Sequence, residues 1–278
     1  MYYLGMSLLL NRRLISVRGD GVLGFLQGLV TQDMQMLKSK DSIATLFLNS
    51  KGRVMTDALM YKRTENEVVV DICAPHADMI TNHLVRHKLR SPIEVNRMEG
   101  VGIEVTRKEL GFKDPRLPSL LPNRSIVESS EFGESEQHEY RYDRIRLGIV
   151  EGQDMPTDSI PIFYNFDLFN TISFNKGCYS GQELVTRTVR RGVVRKRVVP
   201  IQSVGSHVFT GTPVTMGERQ LGTVLTSQGD VGLALVQIDE GGLNEKHQYC
   251  AAVSALLDSE IRIGGTPGRI LLPGYCQQ

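Results

Sequence analysis

Apolar residues near the start of the chain follow two spacings, each typical of a different element. Residues 14–17, Leu-Ile-Ser-Val, fit a short strand. The next apolar residues recur at i, i+3, i+4, i+7 and i+8, the spacing of one helix face: Val22, Phe25, Leu26, Leu29 and Val30. Asp20 precedes them, and an aspartate there can accept a hydrogen bond from the first helical turn. We therefore predict a strand followed by a helix capped by Asp20.

The next hundred residues predict a sheet with a second helix. Residues 41–48, 53–61 and 68–72 are apolar runs separated by polar turns, which predicts an antiparallel meander. Pro75 suits the start of a helix, whose apolar face would be formed by five residues: Met79, Ile80, Leu84, Val85 and Leu89. Strands are predicted again at 93–98 and 101–105. This order favours an α+β fold with helices on one face of the sheet.

The last third of the chain has a different pattern. Six apolar runs alternate with turns rich in Gly, Pro and Asp, at residues 193–201, 207–215, 220–226, 231–238, 248–254 and 260–263. Short strands without a clear helix predict a small β-barrel or sandwich. We therefore predict an α+β region over residues 1–192 and a β-barrel domain over residues 193–278.

Composition and charge exclude several classes of protein. The chain is 41% hydrophobic and 23% charged, as in ordinary soluble proteins, and has no apolar run near the ~20 residues that span a bilayer. The net charge of +1 provides no overall field for nucleic acid. Residues 184–217 contain no acid but several bases, including Arg190, Arg191 and Arg195. These bases could bind an acidic partner or ligand, or they could lie on a solvated strand edge.

The cysteines and histidines are too scattered for a metal site built by this chain alone. Four cysteines occur without a C-x-x-C pair, which favours a reducing compartment over a disulfide framework. Cys73 ends an apolar run and is predicted to be core, and Cys250 lies in a predicted strand. His83 and His87 are one helical turn apart, and we interpret them as a solvated helix face.

The most distinctive motif is N-K-G-C-Y-S-G-Q-E at residues 175–183. Cys178 lies between two glycines, which favours a turn with a reachable sulfur. Lys176 would favour the thiolate form of that sulfur. A nucleophilic cysteine needs a base, and no histidine is close in sequence. One thiolate cannot hold an iron–sulfur cluster alone, but it can complete a cluster shared with a second protein.

The octapeptide at residues 176–183 resembles the K-G-C-[FY]-x-G-Q-E signature of the YgfZ family, which shares its fold with the glycine cleavage T-protein, an aminomethyltransferase. The similarity extends to F-L-Q-G-L-V-T-Q-D at residues 25–33, K-G-R at 51–53, D-P-R-L at 114–117 and G-V-V-R-K-R at 192–197. Leu184, Arg187 and Thr188 are most similar to the branch of mitochondrial iron–sulfur cluster assembly factors.

The resemblance implies an aminomethyltransferase-like fold with a central tetrahydrofolate-type pocket and a C-terminal β-barrel. It also implies a factor in the mitochondrial matrix, or in the cytoplasm of a bacterium, that acts with A-type carrier proteins to mature [4Fe-4S] client enzymes. Cys178 would ligate the shared cluster. The other implied site residues surround the thiol or line the pocket: Lys176, Gly177, Tyr179, Gly181, Gln182, Glu183, Arg187 and Asp57. Gln182 and Glu183 would fix the loop by hydrogen bonds.

Two departures from the transferase pattern argue against aminomethyl transfer. Phe163 replaces a carboxylate that faces the folate, and Asp57 is followed by Ala58 rather than by a second aspartate. A proton acceptor and a hydrogen-bond partner for the pterin would be missing. The alternatives are a tetrahydrofolate-dependent one-carbon transferase and a folate-binding protein that supports tRNA modification. A nucleic-acid binder that uses the bases near Arg190 is the weakest of the alternatives.

Overall fold

The computed structural model describes residues 7–128, 137–191, 193–238 and 243–277. The chain forms two compact units, neither of them continuous in sequence. Unit 1 comprises Met1–Gln137 and Asn170–Gln182, and unit 2 comprises His138–Phe169 and Glu183–Gln278. In the described ranges no helix is both long and apolar enough to span a membrane.

Unit 1 consists of two antiparallel sheets and two helices. Its strands are β1 (Ser7–Leu9), β2 (Arg12–Arg18), β3 (Ser42–Leu48), β4 (Val54–Thr64), β5 (Glu67–Cys73), β6 (Glu94–Arg97), β7 (Val101–Thr106) and β8 (Asn123–Glu128). The larger sheet has the order β3-β4-β5-β2-β6, and the smaller has the order β1-β7-β8. The helices are α1 (Val22–Gln27) and α2 (Ala77–Lys88), which bury Leu26, Ile80 and Leu84 in one apolar core with the larger sheet. The predicted meander is β3-β4-β5.

Two details of the predicted helices are wrong. Gly21, with φ of 75°, precedes α1, and no side chain caps this helix, so Asp20 is not the N-cap. The apolar face of α2 is narrower than predicted, because Met79, Val85 and Leu89 are exposed.

His83 also departs from the predicted solvated face. It is half-buried, with its ring 4.2 Å from that of His87 and edge-on to Phe47. Burial, together with the charges of His87 and Arg86, lowers the pKa of His83.

Unit 2 contains the predicted barrel. Its elements are α3 (Gln137–Arg146), α4 (Gln182–Arg191), β9 (Lys196–Ser203), β10 (Pro213–Met216), β11 (Arg219–Gln228), β12 (Val231–Gln237), α5 (Lys246–Ala255), β13 (Ile261–Ile263) and β14 (Thr266–Ile270). Six strands close the barrel in the order β10-β11-β12-β9-β14-β13. The α+β fold with a closed β-barrel is therefore confirmed, and the boundary between residues 192 and 193 stays a prediction.

Two predicted strand assignments in the barrel region are wrong, and one strand was not predicted. Residues 248–254 belong to α5, where Glu245 and Gln248 form a capping box. Residues 207–212 precede β10 rather than forming part of it. β14 was not predicted because Pro267 and Gly268 are turn residues, yet the strand pairs with both β9 and β13.

The cysteines also differ from the prediction of a chain without disulfides. Cys250 on α5 is joined to Cys276 by a disulfide. Cys73 is buried at the end of β5, as predicted for a core residue.

Candidate functional site

Residues 175–181, which we call the thiol loop, belong to unit 1 and lead into α4. Cys178 is exposed and is not part of a disulfide. Lys176, two residues before it, is half-buried, and Tyr179, directly after it, is buried. The loop therefore presents the sulfur to solvent while its neighbours attach to the rest of the unit.

Lys176 is the main attachment of the thiol loop. Its ammonium donates hydrogen bonds to the backbone carbonyls of Gln27, Val30 and Gln32, at 2.6, 2.8 and 2.8 Å. A lysine has three N–H donors, so these carbonyls use all of them. Burial lowers the pKa of Lys176 to about 8. Lys176 is therefore an anchor of the loop, and its effect on the thiolate stays a prediction that would act through its charge, because no donor is left for the sulfur.

Tyr179 and Ser180 attach the other side of Cys178. The Tyr179 ring is buried, 5.2 Å from the Lys176 ammonium, and burial raises the pKa of its hydroxyl to about 12. The backbone N–H of Ser180 donates to the carbonyl of Gly28 at 3.0 Å. Both flanks of Cys178 are thus held against the segment around residues 27–32.

The two glycines of the motif have different roles. Gly181 has φ of 80°, and a Cβ there would lie 2.6 Å from the carbonyl oxygen of Asn49 and 2.8 Å from Cα of Gly52. Glycine is therefore required at position 181 by both conformation and space. Gly177 is exposed, and a Cβ there would meet nothing within 4 Å. Only the second glycine is fixed by its structural surroundings.

The remaining residues of the motif begin α4. Glu183 lies in the first turn, where its negative charge interacts favourably with the helix dipole. Glu183 and Arg187 are both exposed. Gln182 is half-buried. The predicted hydrogen bonds from the side chains of Gln182 and Glu183 do not occur among the described residues. The anchors at Lys176, Ser180 and Gly181 hold the loop instead.

Asp57, predicted to contact a ligand, is only 5% exposed and lies 3.6 Å from the Arg12 guanidinium. Arg12 also donates to Asp71 at 2.6 Å, and Asp71 accepts from Arg124 and Tyr61 at 3.0 and 2.9 Å. The carboxylate of Asp57 therefore belongs to a buried ion-pair network of the sheet. The pattern of alternating residues in β2 does not reveal this network, because Arg12 occupies an inward position where an apolar residue is expected.

The basic segment of residues 184–217 separates into two kinds of residue. Arg190, Arg195 and Lys196 are exposed. Arg197 is fully buried and forms a bidentate ion pair with Asp167, at 2.7 and 2.9 Å. A solvated strand edge is therefore the wrong interpretation for Arg197, whose charge stabilises the interior of unit 2.

No other group in the described structure supplies a metal site. Within residues 7–128, 137–191, 193–238 and 243–277, no three His, Cys, Asp or Glu side chains are grouped to hold an ion. A surface pocket in unit 1 is lined by Ser42, Phe112 and Pro115. It lies at the start of β3, roughly 20 Å along that strand from Leu48, which neighbours Gly181. None of the predicted site residues lines this pocket.

The comparisons with known proteins agree with this architecture. Residues 195–273 match the family model described as the CAF17 C-terminal β-barrel domain. A protein of Coccidioides immitis named as a mitochondrial iron–sulfur cluster assembly factor IBA57 homolog is 30% identical over 300 residues, covering 83% of this chain and 71% of that protein. The chain belongs to the IBA57 family. A protein of the same name from Pyricularia oryzae is 29% identical, covering 84% of this chain and 72% of that protein.

The fold is also that of an aminomethyltransferase. The crystal structure of glycine cleavage system aminomethyltransferase T from Bartonella henselae superposes with a TM-score of 0.73, over 98% of this chain and 86% of that one. The sequence identity is 14%, so this likeness concerns the fold alone. The resemblance to the mitochondrial iron–sulfur cluster assembly factors of the YgfZ family, on an aminomethyltransferase-like fold, is thus confirmed.

Proposed function

We propose that this chain is a mitochondrial iron–sulfur cluster assembly factor that provides the Cys178 thiolate to a cluster held jointly with an A-type carrier protein. The exposed sulfur of Cys178 on an anchored loop is the observation that carries the proposal. The names of the IBA57 relatives support the cluster chemistry and the compartment. A cluster is the cargo of such a factor and is delivered to [4Fe-4S] client enzymes.

The loop geometry favours a shared ligand over a nucleophile. The anchors at Lys176, Ser180 and Gly181 hold the backbone on both sides of the thiol, which lowers the conformational entropy lost when a partner's cluster binds. Four thiolates normally surround a cluster, and no three potential metal ligands are grouped together in the described part of this chain. The partner would supply the remaining ligands.

The polar residues after the loop are proposed to contact the carrier. Glu183 and Arg187 are exposed on α4, and Gln182 is half-buried at its start. Charged groups at the rim of an interface mainly change the association rate and partner choice. Gly177, where an added Cβ would meet nothing within 4 Å, would allow the carrier's backbone to approach the sulfur closely.

The test is complex formation under anaerobic conditions. Wild-type protein, Cys178→Ser and Cys73→Ala would each be mixed with a cluster-loaded A-type carrier and separated by size, with iron content and visible circular dichroism measured on the complex. We expect wild type and Cys73→Ala to form a cluster-containing complex, and Cys178→Ser to form none. The same complex and spectrum from Cys178→Ser would overturn the ligand role.

One-carbon transfer with tetrahydrofolate is the second candidate function, because the fold is that of an aminomethyltransferase. Asp57 would have to leave its ion pair with Arg12 to contact a folate. Calorimetric titration with tetrahydrofolate, followed by an assay with an aminomethyl donor, separates the two functions. Saturable binding with turnover would support the transferase, and binding without turnover would leave folate as a ligand of the assembly factor.

A further inference from the structure

The disulfide between Cys250 and Cys276 closes unit 2 through residues far apart in sequence. Cys250 lies in the middle of α5, and Cys276 ends the short helical turn Gly274–Cys276. Their Cα atoms are 5.5 Å apart, and their positions in the sequence differ by 26. Both residues are half-buried, so a small thiol can reach the bond from solvent.

The segment that this bond holds, residues 271–277, completes the interior of unit 2. Tyr275 is 1% exposed, and its hydroxyl accepts a hydrogen bond from Asn165 at 2.7 Å. Its ring packs beside those of Phe169 and Tyr249, with centroids 5.7 and 6.0 Å away. The N–H groups of Leu271 and Gly274 donate to Pro200 and Leu147. Releasing the segment would therefore open the unit around Tyr249 and Asn165.

The cysteine content of the chain makes a permanent disulfide unexpected. The chain has four cysteines without a C-x-x-C pair, a usage that favours a reducing compartment. Disulfides in reducing compartments are mostly transient and respond to redox state. The remaining cysteines, Cys73 and Cys178, lie outside the bond, and Cys178 keeps an exposed thiol in the same chain. A disulfide in one unit and an exposed thiol in the other are consistent with a protein that is exposed to both oxidising and reducing conditions.

We propose that the bond between Cys250 and Cys276 is a reversible, redox-sensitive disulfide that holds residues 271–277 in place. In the reaction, a thiolate of a dithiol, or of glutathione, attacks one sulfur and forms a mixed disulfide. The second thiolate then displaces the cysteine from that mixed disulfide. The S–S bond of the protein is reduced by two electrons, both cysteines take up a proton, and the reductant leaves as its own disulfide. Oxidation by a disulfide of the same class reverses each step.

The oxidised and the reduced protein would differ in how well ordered residues 271–277 are. In the oxidised state Tyr275 is held against Tyr249 and Asn165 by both packing and the covalent bond. In the reduced state only the packing and the hydrogen bonds remain, so residues 271–277 open more often. A cross-link of this span contributes enough chain entropy to raise Tm by about 5 °C or more. The cluster-ligand role of Cys178 is not needed for any of these steps.

The test uses the whole chain, equilibrated with oxidised or with reduced dithiothreitol, which leaves no lasting mixed disulfide on the exposed Cys178, and quenched in acid. We expect the denatured oxidised chain to have two titratable thiols and the reduced chain four, with peptide mapping joining Cys250 to Cys276 in the oxidised sample. Amide hydrogen exchange should be faster in the reduced sample for residues 271–277 and 246–255. The change should reverse when oxidant is restored.

The matched control is the double variant Cys250→Ser with Cys276→Ser. It should exchange like the reduced wild type under both conditions. Should it fail to fold, the thiol count and exchange of wild type alone still decide the question. Four thiols in the oxidised sample, a bond to Cys178 instead, or equal exchange in the two redox states would overturn the proposal.

Discussion

Lys176 is the residue on which the position of the thiol depends most. Its ammonium is bound by the carbonyls of Gln27, Val30 and Gln32, and the removal of water lowers its pKa to about 8. The motif alone predicted that this lysine would act on the neighbouring sulfur. The actual acceptors lie about 150 residues earlier in the chain, and sequence spacing contains no information about such a contact.

Lys176→Met should destabilise unit 1 by about 1–3 kcal/mol, because three partly buried carbonyls lose their donor. The difference in the free energy of unfolding between wild type and Lys176→Met also depends on pH. The folded chain releases the Lys176 proton at a pKa of about 8 and the unfolded chain near 10.5, so the wild-type free energy of unfolding rises relative to the variant as pH increases from 8 to 10.5. Urea denaturation of wild type and variant at several pH values measures this pH dependence. Lys51→Met, at an exposed position, is the control.

The same pKa can be followed directly by NMR. The ¹³Cε resonance of Lys176 should titrate with a midpoint near pH 8, well below the ordinary lysine pKa of 10.5. Lys176→Arg assigns the resonance. A midpoint near 10.5 for Lys176 would show that its ammonium is in water rather than against the three carbonyls.

The glycines of the motif give a matched pair of substitutions. Gly181→Ala should cost about 2 kcal/mol or more, since a left-handed conformation alone costs about 1–2 kcal/mol and the new Cβ would meet Asn49 and Gly52. Gly177→Ala should change stability by less than about 1 kcal/mol. Thermal unfolding of the two variants measures the contrast, and equal losses would contradict the assigned roles.

At the level of elements, hydrophobic spacing predicted most of the secondary structure but not the exceptions. The meander β3-β4-β5 consists of nearly continuous apolar runs separated by short polar turns, so the sequence is sufficient to predict it. Helix α5 has the composition of a strand over residues 248–254, and only the capping box at Glu245 and Gln248 indicated a helix. β14 contains Pro267 and Gly268, and pairing with β9 and β13 overrides their local preference.

Strand β9 contains a buried charge that binary patterning cannot predict. Arg197 is fully buried and paired with Asp167. Asp167→Asn would leave the guanidinium without a counter-charge, and we expect unit 2 to lose about 3–5 kcal/mol. Glu260→Gln, at an exposed position, should change stability by less than about 0.5 kcal/mol. Comparable Tm values for the two variants would contradict a structural role for the pair.

At the level of the whole molecule, the octapeptide was the most informative part of the sequence. It indicated a family and a fold, and both agree with the IBA57 relatives and with the aminomethyltransferase structure. The ligand role of Cys178 and the carrier partnership remain proposals. They depend on a second protein, and a single chain provides only the exposed thiol and the anchored loop that support them.

The most direct test of the central claim is the reactivity of the Cys178 thiol toward iodoacetamide, followed by mass spectrometry of its peptide. We predict rapid alkylation in the protein alone and with the cluster-free A-type carrier. With the cluster-loaded carrier, alkylation should be slower by about tenfold or more, because a metal-bound thiolate is not free to attack. An equal rate with the cluster-loaded and the cluster-free carrier would show that Cys178 does not ligate the shared cluster.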